Sequence, residues 1–206
     1  MPPFPSSSLN RRWGVAFLLA LLLSAGAVAG AAPAAPRPLS GCGVLELEQP
    51  LPPEGGPLVL YREPGLDRIG ERQLSSLPRL AGGAGELLVA VTARKGGWTQ
   101  LSYDEAGREG WVQQGRAWRY LSWEEFLPGR RVRVLPGLKK GLYALRSAPD
   151  DQAPERGGVS RDQAVRVLAT EDDWARLEAP AGWVRWRDAD GRLTISLQES
   201  FSSENR

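Results

Sequence analysis

Two stretches of thirteen residues decide the fold: VAVTARKGGWTQL, residues 89–101, and VRVLATEDDWARL, residues 165–177. Before each turn the matching residues lie two apart, as on one face of a half-buried strand. The turns themselves, RKGG and TEDD, are polar and different. The sequence therefore predicts one hairpin present twice. The stretches align without a gap at an offset of 76, with five identities: Val89/Val165, Val91/Val167, Ala93/Ala169, Trp98/Trp174 and Leu101/Leu177.

The repetition extends on both sides of these hairpins. Gly-Trp-Val follows each of them, at residues 110–112 and 182–184. Upstream, LVLYREPG (58–65) and LYALRSAP (142–149) share a leucine and an arginine at matching places. Each copy thus predicts several short strands joined by polar, glycine-bearing turns. Units of this length are expected to close as small β-barrels, which leave few exposed strand edges.

This order of motifs resembles the bacterial SH3-like (SH3b) domain. The family pattern is a Leu-x-x-Arg-type opening, a long loop, a Val-x-Val strand, a turn ending in Trp, and then Gly-Trp-Val. The resemblance implies an all-β fold of two small SH3-like β-barrels in tandem. We expect SH3-like domain 1 over residues 43–121 and SH3-like domain 2 over residues 130–198.

A short helical linker is expected between the two copies, at residues 122–129. Ser122 and Glu125 have the spacing of a capping box, and Pro128-Gly129 ends the segment. A helix this short is not stable alone. We therefore expect Trp123 and Phe126 to pack between the barrels.

The first forty residues have the pattern of an export signal. Arg11-Arg12 precede an apolar stretch, and Ala27-Val28-Ala29 fits a small-residue cleavage site. We expect a signal peptide over residues 1–29, cleaved after Ala29, and an Ala/Pro-rich linker over residues 30–42. An uncleaved membrane anchor is the alternative. The polar C-terminus, residues 199–206, is expected to be a disordered tail.

Leu39-Ser40-Gly41-Cys42 resembles a lipobox, in which the cysteine becomes lipidated. Arg37 and several prolines separate Cys42 from the apolar stretch, whereas a lipobox normally adjoins it. Lipidation of Cys42 is therefore the less favoured alternative. In both cases the protein is expected to be exported, to the periplasm or the cell envelope.

Composition excludes several classes of function. The chain has no histidine and one cysteine, which excludes Ser-His-Asp and Cys-His catalysis, histidine metal sites and an internal disulfide. We expect no enzymatic activity, no cofactor and no metal. Without residues 1–29 the chain carries 24 basic and 24 acidic residues, so nucleic acid is not an expected partner. The basic run Arg130–Lys140 is interpreted as a strand with a solvated face, with an anion site as the alternative.

The aromatic residues divide into two groups. Tryptophans at repeated positions are interpreted as core, because small barrels draw much of their core from aromatic side chains. Unrepeated aromatics, and the residues beside the opening arginines, are the candidates for ligand binding. The expected core residues are Trp98, Trp111, Trp174 and Trp183; the expected ligand-binding residues are Tyr61, Arg62, Tyr103, Trp118, Tyr120, Tyr143, Arg146 and Trp186.

The resemblance implies a binding protein. Its expected ligand is cell-wall peptidoglycan or the stem peptides of peptidoglycan. The alternative is an envelope adaptor that binds another protein. A membrane is an expected partner only if Cys42 is lipidated or the signal stays uncleaved.

Overall fold

The computed structural model of the chain describes residues 37–48, 57–83 and 86–197. The expected signal peptide with its cleavage site at Ala29, residues 30–36 of the expected linker, and the expected tail lie outside the described residues. Within the described part, no helix is long and apolar enough to cross a membrane.

The first sheet is antiparallel and is built from residues 43–122. Its strands are β1 (Gly43–Glu48), β2 (Leu58–Glu63), β3 (Leu66–Arg72), β4 (Ala81–Gly83), β5 (Glu86–Lys95), β6 (Trp98–Ser102), β7 (Glu109–Gln113) and β8 (Trp118–Ser122). They lie in the order β3-β2-β7-β6-β5-β1-β8, and β4 pairs with β5. A 3-10 turn, Leu74–Ser76, connects β3 to β4.

The second sheet is also antiparallel and is built from residues 131–196. Its strands are β9 (Arg131–Val134), β10 (Ala144–Arg146), β11 (Glu155–Gly158), β12 (Ala164–Glu171), β13 (Trp174–Leu177), β14 (Gly182–Arg185) and β15 (Ile195–Ser196). They lie in the order β11-β10-β14-β13-β12-β9-β15. A 3-10 turn, Lys140–Tyr143, precedes β10.

Both sheets place the aligned residues in the same register. Val91 pairs with Leu101 in the first sheet, and Val167 pairs with Leu177 in the second. An irregularity in the register follows each valine, before the alanine two residues later. The all-β class is thus confirmed. Neither sheet closes on itself among the described strands, and the SH3-like barrels remain a prediction.

The strands form because apolar residues alternate along them. In β6 the side chains of Thr99 and Leu101 are buried, whereas those between and beside them are half-buried. In β9, Val132 and Val134 are buried and Arg131 is exposed. This period of two directs one face of each sheet to the core and the other outward. Arg131 thus has the solvent exposure that the sequence predicts.

One helical turn, α1 (Trp123–Phe126), follows β8. The predicted capping box is present: the Ser122 hydroxyl accepts a hydrogen bond from the Glu125 N–H, and the Glu125 carboxylate accepts one from the Ser122 N–H. Trp123 and Phe126 are buried in a cluster with second-sheet residues and with Val44 of β1. Packing of these two rings holds α1, as expected for a helix of one turn.

Glu46 forms a polar contact beside this cluster. Its side chain is nearly inaccessible, and its two carboxylate oxygens accept hydrogen bonds from Arg119 of β8 and from Arg130, which precedes β9. The Arg130 guanidinium also lies over the Phe126 ring, 3.9 Å from the ring centroid. Glu46 thus connects the first sheet to the start of the second.

Residues 37–42, the end of the expected Ala/Pro-rich linker, pair with residues that precede β15. Leu39 forms an isolated antiparallel bridge with Arg192, and the Ser40 N–H donates to the Gly191 carbonyl at 2.8 Å. The Arg37 guanidinium pairs with Asp188 and donates to the Leu193 carbonyl. This segment, which we call the strap, covers the loop that precedes β15. Backbone pairing, which composition does not reveal, holds the strap in place.

Candidate ligand-binding grooves

A groove beside Tyr143 forms a concave surface on the described part of the chain. Its volume is about 510 Å³, within the roughly 300–1,000 Å³ of small-ligand sites. We call it the second-sheet groove. Two segments form it, the turn before β10 and the connection from β11 to β12. Its lining residues are Leu138, Lys140, Tyr143, Val159, Ser160 and Arg161.

Tyr143 forms a fixed wall of this groove. Its hydroxyl donates to the Leu135 carbonyl at 3.0 Å and accepts from the Leu138 N–H at 3.1 Å. Its backbone carbonyl accepts from the Val159 N–H at 2.9 Å. Both ends of Tyr143 are therefore held. The ring can offer an apolar surface without losing further side-chain entropy when a ligand binds.

Lys140 and Arg161 supply the charge of the second-sheet groove. Both side chains belong to exposed residues. Among the described residues, neither forms a salt bridge, and no carboxylate lines the groove. The Ser160 N–H is already bonded to the Gln163 side-chain oxygen at 2.7 Å, so the loop carrying Arg161 is internally braced.

Another, smaller concave surface, which we call the first-sheet groove, is neutral. Its volume is about 250 Å³. The Tyr61 ring meets Trp98 edge to face, with 5.3 Å between ring centroids. This groove offers an aromatic surface and one amide, without a charged side chain among its lining residues: Pro57, Leu58, Val59, Tyr61, Val112, Gln113 and Trp118.

Three of the eight expected ligand-binding residues lie in these grooves. Tyr61 and Trp118 line the first-sheet groove, and Tyr143 lines the second. The structure therefore does not gather the expected residues into one site. Their role in ligand binding remains a prediction.

The two arginines of the opening motif do not occupy equivalent places. In the sheets, Tyr61 pairs with Trp111, whereas Arg146 pairs with Trp183, so the structural counterpart of Arg146 is Tyr61. Arg62 is exposed and paired with Asp67 at 3.1 Å. Arg146 is half-buried and donates to the Ala153 carbonyl at 3.0 Å, which braces its own loop. The sequence matched Arg62 with Arg146, whereas in the structure the counterpart of Arg146 is Tyr61, one residue before Arg62.

Tyr103 and Tyr120 lie among arginines, outside both grooves. The guanidinium groups of Arg72 and Arg108 lie 5.4 and 5.5 Å from the Tyr103 ring centroid. Arg94 lies 3.9 Å from the centroid of Tyr120, whose hydroxyl donates to the Cys42 carbonyl at 2.9 Å.

Burial and the contact with Cys42 raise the pKa of Tyr120 to about 12, so its hydroxyl stays protonated as a donor. Cys42 is exposed and has no disulfide. Its lipidation remains a prediction.

Trp186 is corrected from a ligand-binding candidate to a core residue. Only 1% of it is exposed, and its indole N–H donates to the Asp172 carbonyl at 2.9 Å. It shares the inward face of Val184, two residues earlier, as the alternation of a strand requires. Its side chain is therefore not available to a ligand.

The repeated tryptophans are only partly core. Trp174 is buried, whereas Trp98, Trp111 and Trp183 are half-buried. In each Gly-Trp-Val the valine is buried, so alternation directs the tryptophan to the opposite face. The core interpretation is wrong in this respect for Trp111 and Trp183.

Sequence reasoning missed most of the second-sheet groove. Lys140 and Arg161 are 21 positions apart in the chain, and each is an ordinary exposed cation by itself. The available signal was the basic run Arg130–Lys140, which contains no acidic residue and for which an anion site was the less favoured interpretation.

No group of three or more metal-ligating side chains is assembled among residues 37–48, 57–83 and 86–197. Comparison with protein-family models, with curated proteins and with solved structures gives no match. The geometry of the grooves is therefore the basis for assigning a function.

Proposed function

We propose that this protein is an exported, non-catalytic binding protein of two tandem SH3-like modules that recognises peptidoglycan through its stem peptides. The observation that carries the proposal is the second-sheet groove, where a fixed Tyr143 ring stands beside two cations that form no salt bridge with any described residue. A short peptide with apolar side chains and a carboxylate complements such a surface.

The tandem arrangement is supported by the equivalence of the two sheets. When the strands are matched in chain order, omitting β4, both sheets have the same strand order. Gln100 pairs with Trp111, and Arg176 pairs with Trp183, so the two Gly-Trp-Val motifs stand in the same register. Short repeated strands with this connectivity are what the SH3-like resemblance leads us to expect.

The proposal of a non-catalytic protein is supported by the engagement of two acidic side chains. Asp151 and Asp173 both accept hydrogen bonds from Arg185. The Arg185 hydrogen bond holds the pKa of Asp151 below its ordinary value, which favours a charged carboxylate and not a proton donor at neutral pH. The chain has no histidine, which is the one side chain whose unperturbed pKa places its charge change between pH 5 and 8.

Co-sedimentation of the full chain with purified peptidoglycan sacculi tests the proposal. We expect retention that persists at 0.15 M salt and falls when Lys140→Gln and Arg161→Gln are combined. Lys139→Gln is the matched control, because Lys139 is exposed and does not line the groove. Failure of the unsubstituted chain to sediment with sacculi would refute the proposed function.

An envelope adaptor is the second candidate, and the β2–β3 hairpin favours it. On this hairpin the large apolar side chains of Leu66 and Ile69 are 63% and 38% exposed. Exposed apolar surface can be buried against a protein partner. For an adaptor, Leu66→Ser combined with Ile69→Ser abolishes capture of an envelope protein and leaves sedimentation with sacculi unchanged. If the protein binds the wall instead, the same two substitutions change neither the capture of an envelope protein nor the sedimentation with sacculi.

A further inference from the structure

Charge is distributed unevenly between the two sheets. Residues 43–129 contain 9 Lys and Arg against 12 Asp and Glu, a net charge of −3. Residues 130–197 contain 13 against 10, a net charge of +3. The second-sheet groove lies in the basic part, so an anionic ligand is attracted toward it before contact.

The charged side chains of this groove are donors only. The Lys140 ammonium has three N–H donors and the Arg161 guanidinium has five, and neither has an acceptor. The Tyr143 hydroxyl is already engaged as donor and as acceptor by Leu135 and Leu138. Apart from the Ser160 hydroxyl, no lining side chain offers an acceptor to a ligand. The groove therefore complements a group that only accepts hydrogen bonds, such as an ionised carboxylate.

The remaining lining is apolar. Leu138 and Val159 are buried beside the half-buried Tyr143 ring, and the two cations are exposed at the groove. A ligand that places an apolar side chain against these residues and a carboxylate at the two cations must carry the two groups close together. In a peptide, the last residue carries both a side chain and the free α-carboxylate and so offers this combination.

The first-sheet groove is an internal comparison. Its lining contains aromatic and aliphatic side chains and Gln113, without a cation. The two grooves differ in charge and in position, since β2 and β7 line the first whereas the turn before β10 and the β11–β12 connection line the second. Of the two grooves, we expect only the second-sheet groove to select peptides with a charged C-terminal carboxylate.

We propose that the second-sheet groove binds the free C-terminal carboxylate of a short peptide, with Lys140 and Arg161 on the carboxylate and Tyr143, Leu138 and Val159 against the last side chain. The inference rests on the proposed function for the source of the peptide, the peptidoglycan stem. The inference adds that the C-terminus of the stem peptide, and not the glycan, is recognised.

The test compares L-trialanine with its C-terminal amide, using amide chemical shifts of the ¹⁵N-labelled full chain. Charge-assisted hydrogen bonds exceed neutral ones, so we expect the amide to bind about tenfold more weakly. The combined Lys140→Gln and Arg161→Gln variant loses this preference, and Lys139→Gln keeps it. Three results would overturn the inference. The acid and the amide could bind with equal affinity, or the shifts could centre outside the second-sheet groove. The free acid could also cause no shift at 20 mM, which is roughly the weakest Kd of interest.

Failure of this inference and failure of the proposed function give different results. Sacculi that retain the protein while trialanine acid and amide bind alike would refute carboxylate recognition and leave wall binding standing. Trialanine acid that binds in the groove while sacculi do not retain the protein would support the groove chemistry and refute the wall as its source.

Discussion

The rings of Trp123 and Trp186 lie against each other, with 5.0 Å between their centroids and 35° between their planes. Trp123 begins α1 at the end of the first sheet, and Trp186 follows β14 of the second. Each indole N–H donates to a backbone carbonyl at 2.9 Å, from Trp123 to Ser40 and from Trp186 to Asp172. The pair therefore joins α1, the second sheet and the strap without leaving a buried donor unpaired.

Trp186→Ala is expected to destabilise the protein strongly. Removal of a fully buried indole typically costs about 3–5 kcal/mol, because it leaves a cavity and removes packing. Trp183→Ala is the matched control, since Trp183 is half-buried on the same strand segment and its loss should cost about 1–2 kcal/mol. Urea unfolding of both variants measures the difference. A Trp186→Ala variant with unchanged stability and impaired ligand binding would restore Trp186 to the binding site.

Ser122→Ala is expected to lower the free energy of unfolding by about 1 kcal/mol, because it removes the acceptor that caps α1. Ser122→Asp keeps an acceptor at the same position and should cost less. Thermal or urea unfolding of the two variants distinguishes them. Equal stabilities would mean that Trp123 and Phe126 hold α1 without help from the cap.

The strap makes stability depend on acid pH through Asp188. Burial raises the pKa of Asp188, but hydrogen bonds from the Arg192 N–H and the Arg37 guanidinium outweigh burial and hold it below its ordinary 3.8. The folded protein thus binds this proton more weakly than the unfolded chain does. The stabilisation is fully present above the unfolded pKa, about 3.9, and is lost as pH falls through the lowered folded pKa.

Asp188→Asn should therefore flatten the fall in stability below about pH 4, measured by urea unfolding at several pH values. The neutral amide also weakens the contact with Arg37, so stability at pH 7 should decrease. Asp190→Asn is the control, since Asp190 lies in the same turn and is exposed. Identical pH profiles for Asp188→Asn and the unsubstituted chain would show that the strap contact does not contribute.

The sequence predicted those parts of the fold that rest on local pattern. Alternation in Val89–Val91 and Val165–Val167 indicated the paired strands, and the Ser122–Glu125 spacing indicated the cap. Alternation also placed Trp186 on the same face of the strand as Val184. The error was to expect that face to be accessible to a ligand. Since Val184 is itself apolar, the same rule argued for burial.

The features that escaped prediction depend on contacts distant in sequence. The strap at Arg37 meets Asp188, 151 positions away, and composition alone made it a linker. Lys140 and Arg161 meet only because the β11–β12 connection returns to the turn before β10. Exposed cations carry no periodic signal, so a groove built from them emerges only from the fold.

The most direct test of wall recognition through the second-sheet groove uses the three lysines of the chain, Lys95, Lys139 and Lys140. Acetylation rates of each lysine are measured by mass spectrometry on the full chain, free and bound to sacculi. We expect bound peptide to slow acetylation of Lys140 several-fold, while Lys95, in the first sheet, reacts at an unchanged rate. An unchanged rate at Lys140 in the bound protein would contradict the account, since the wall would then be held elsewhere.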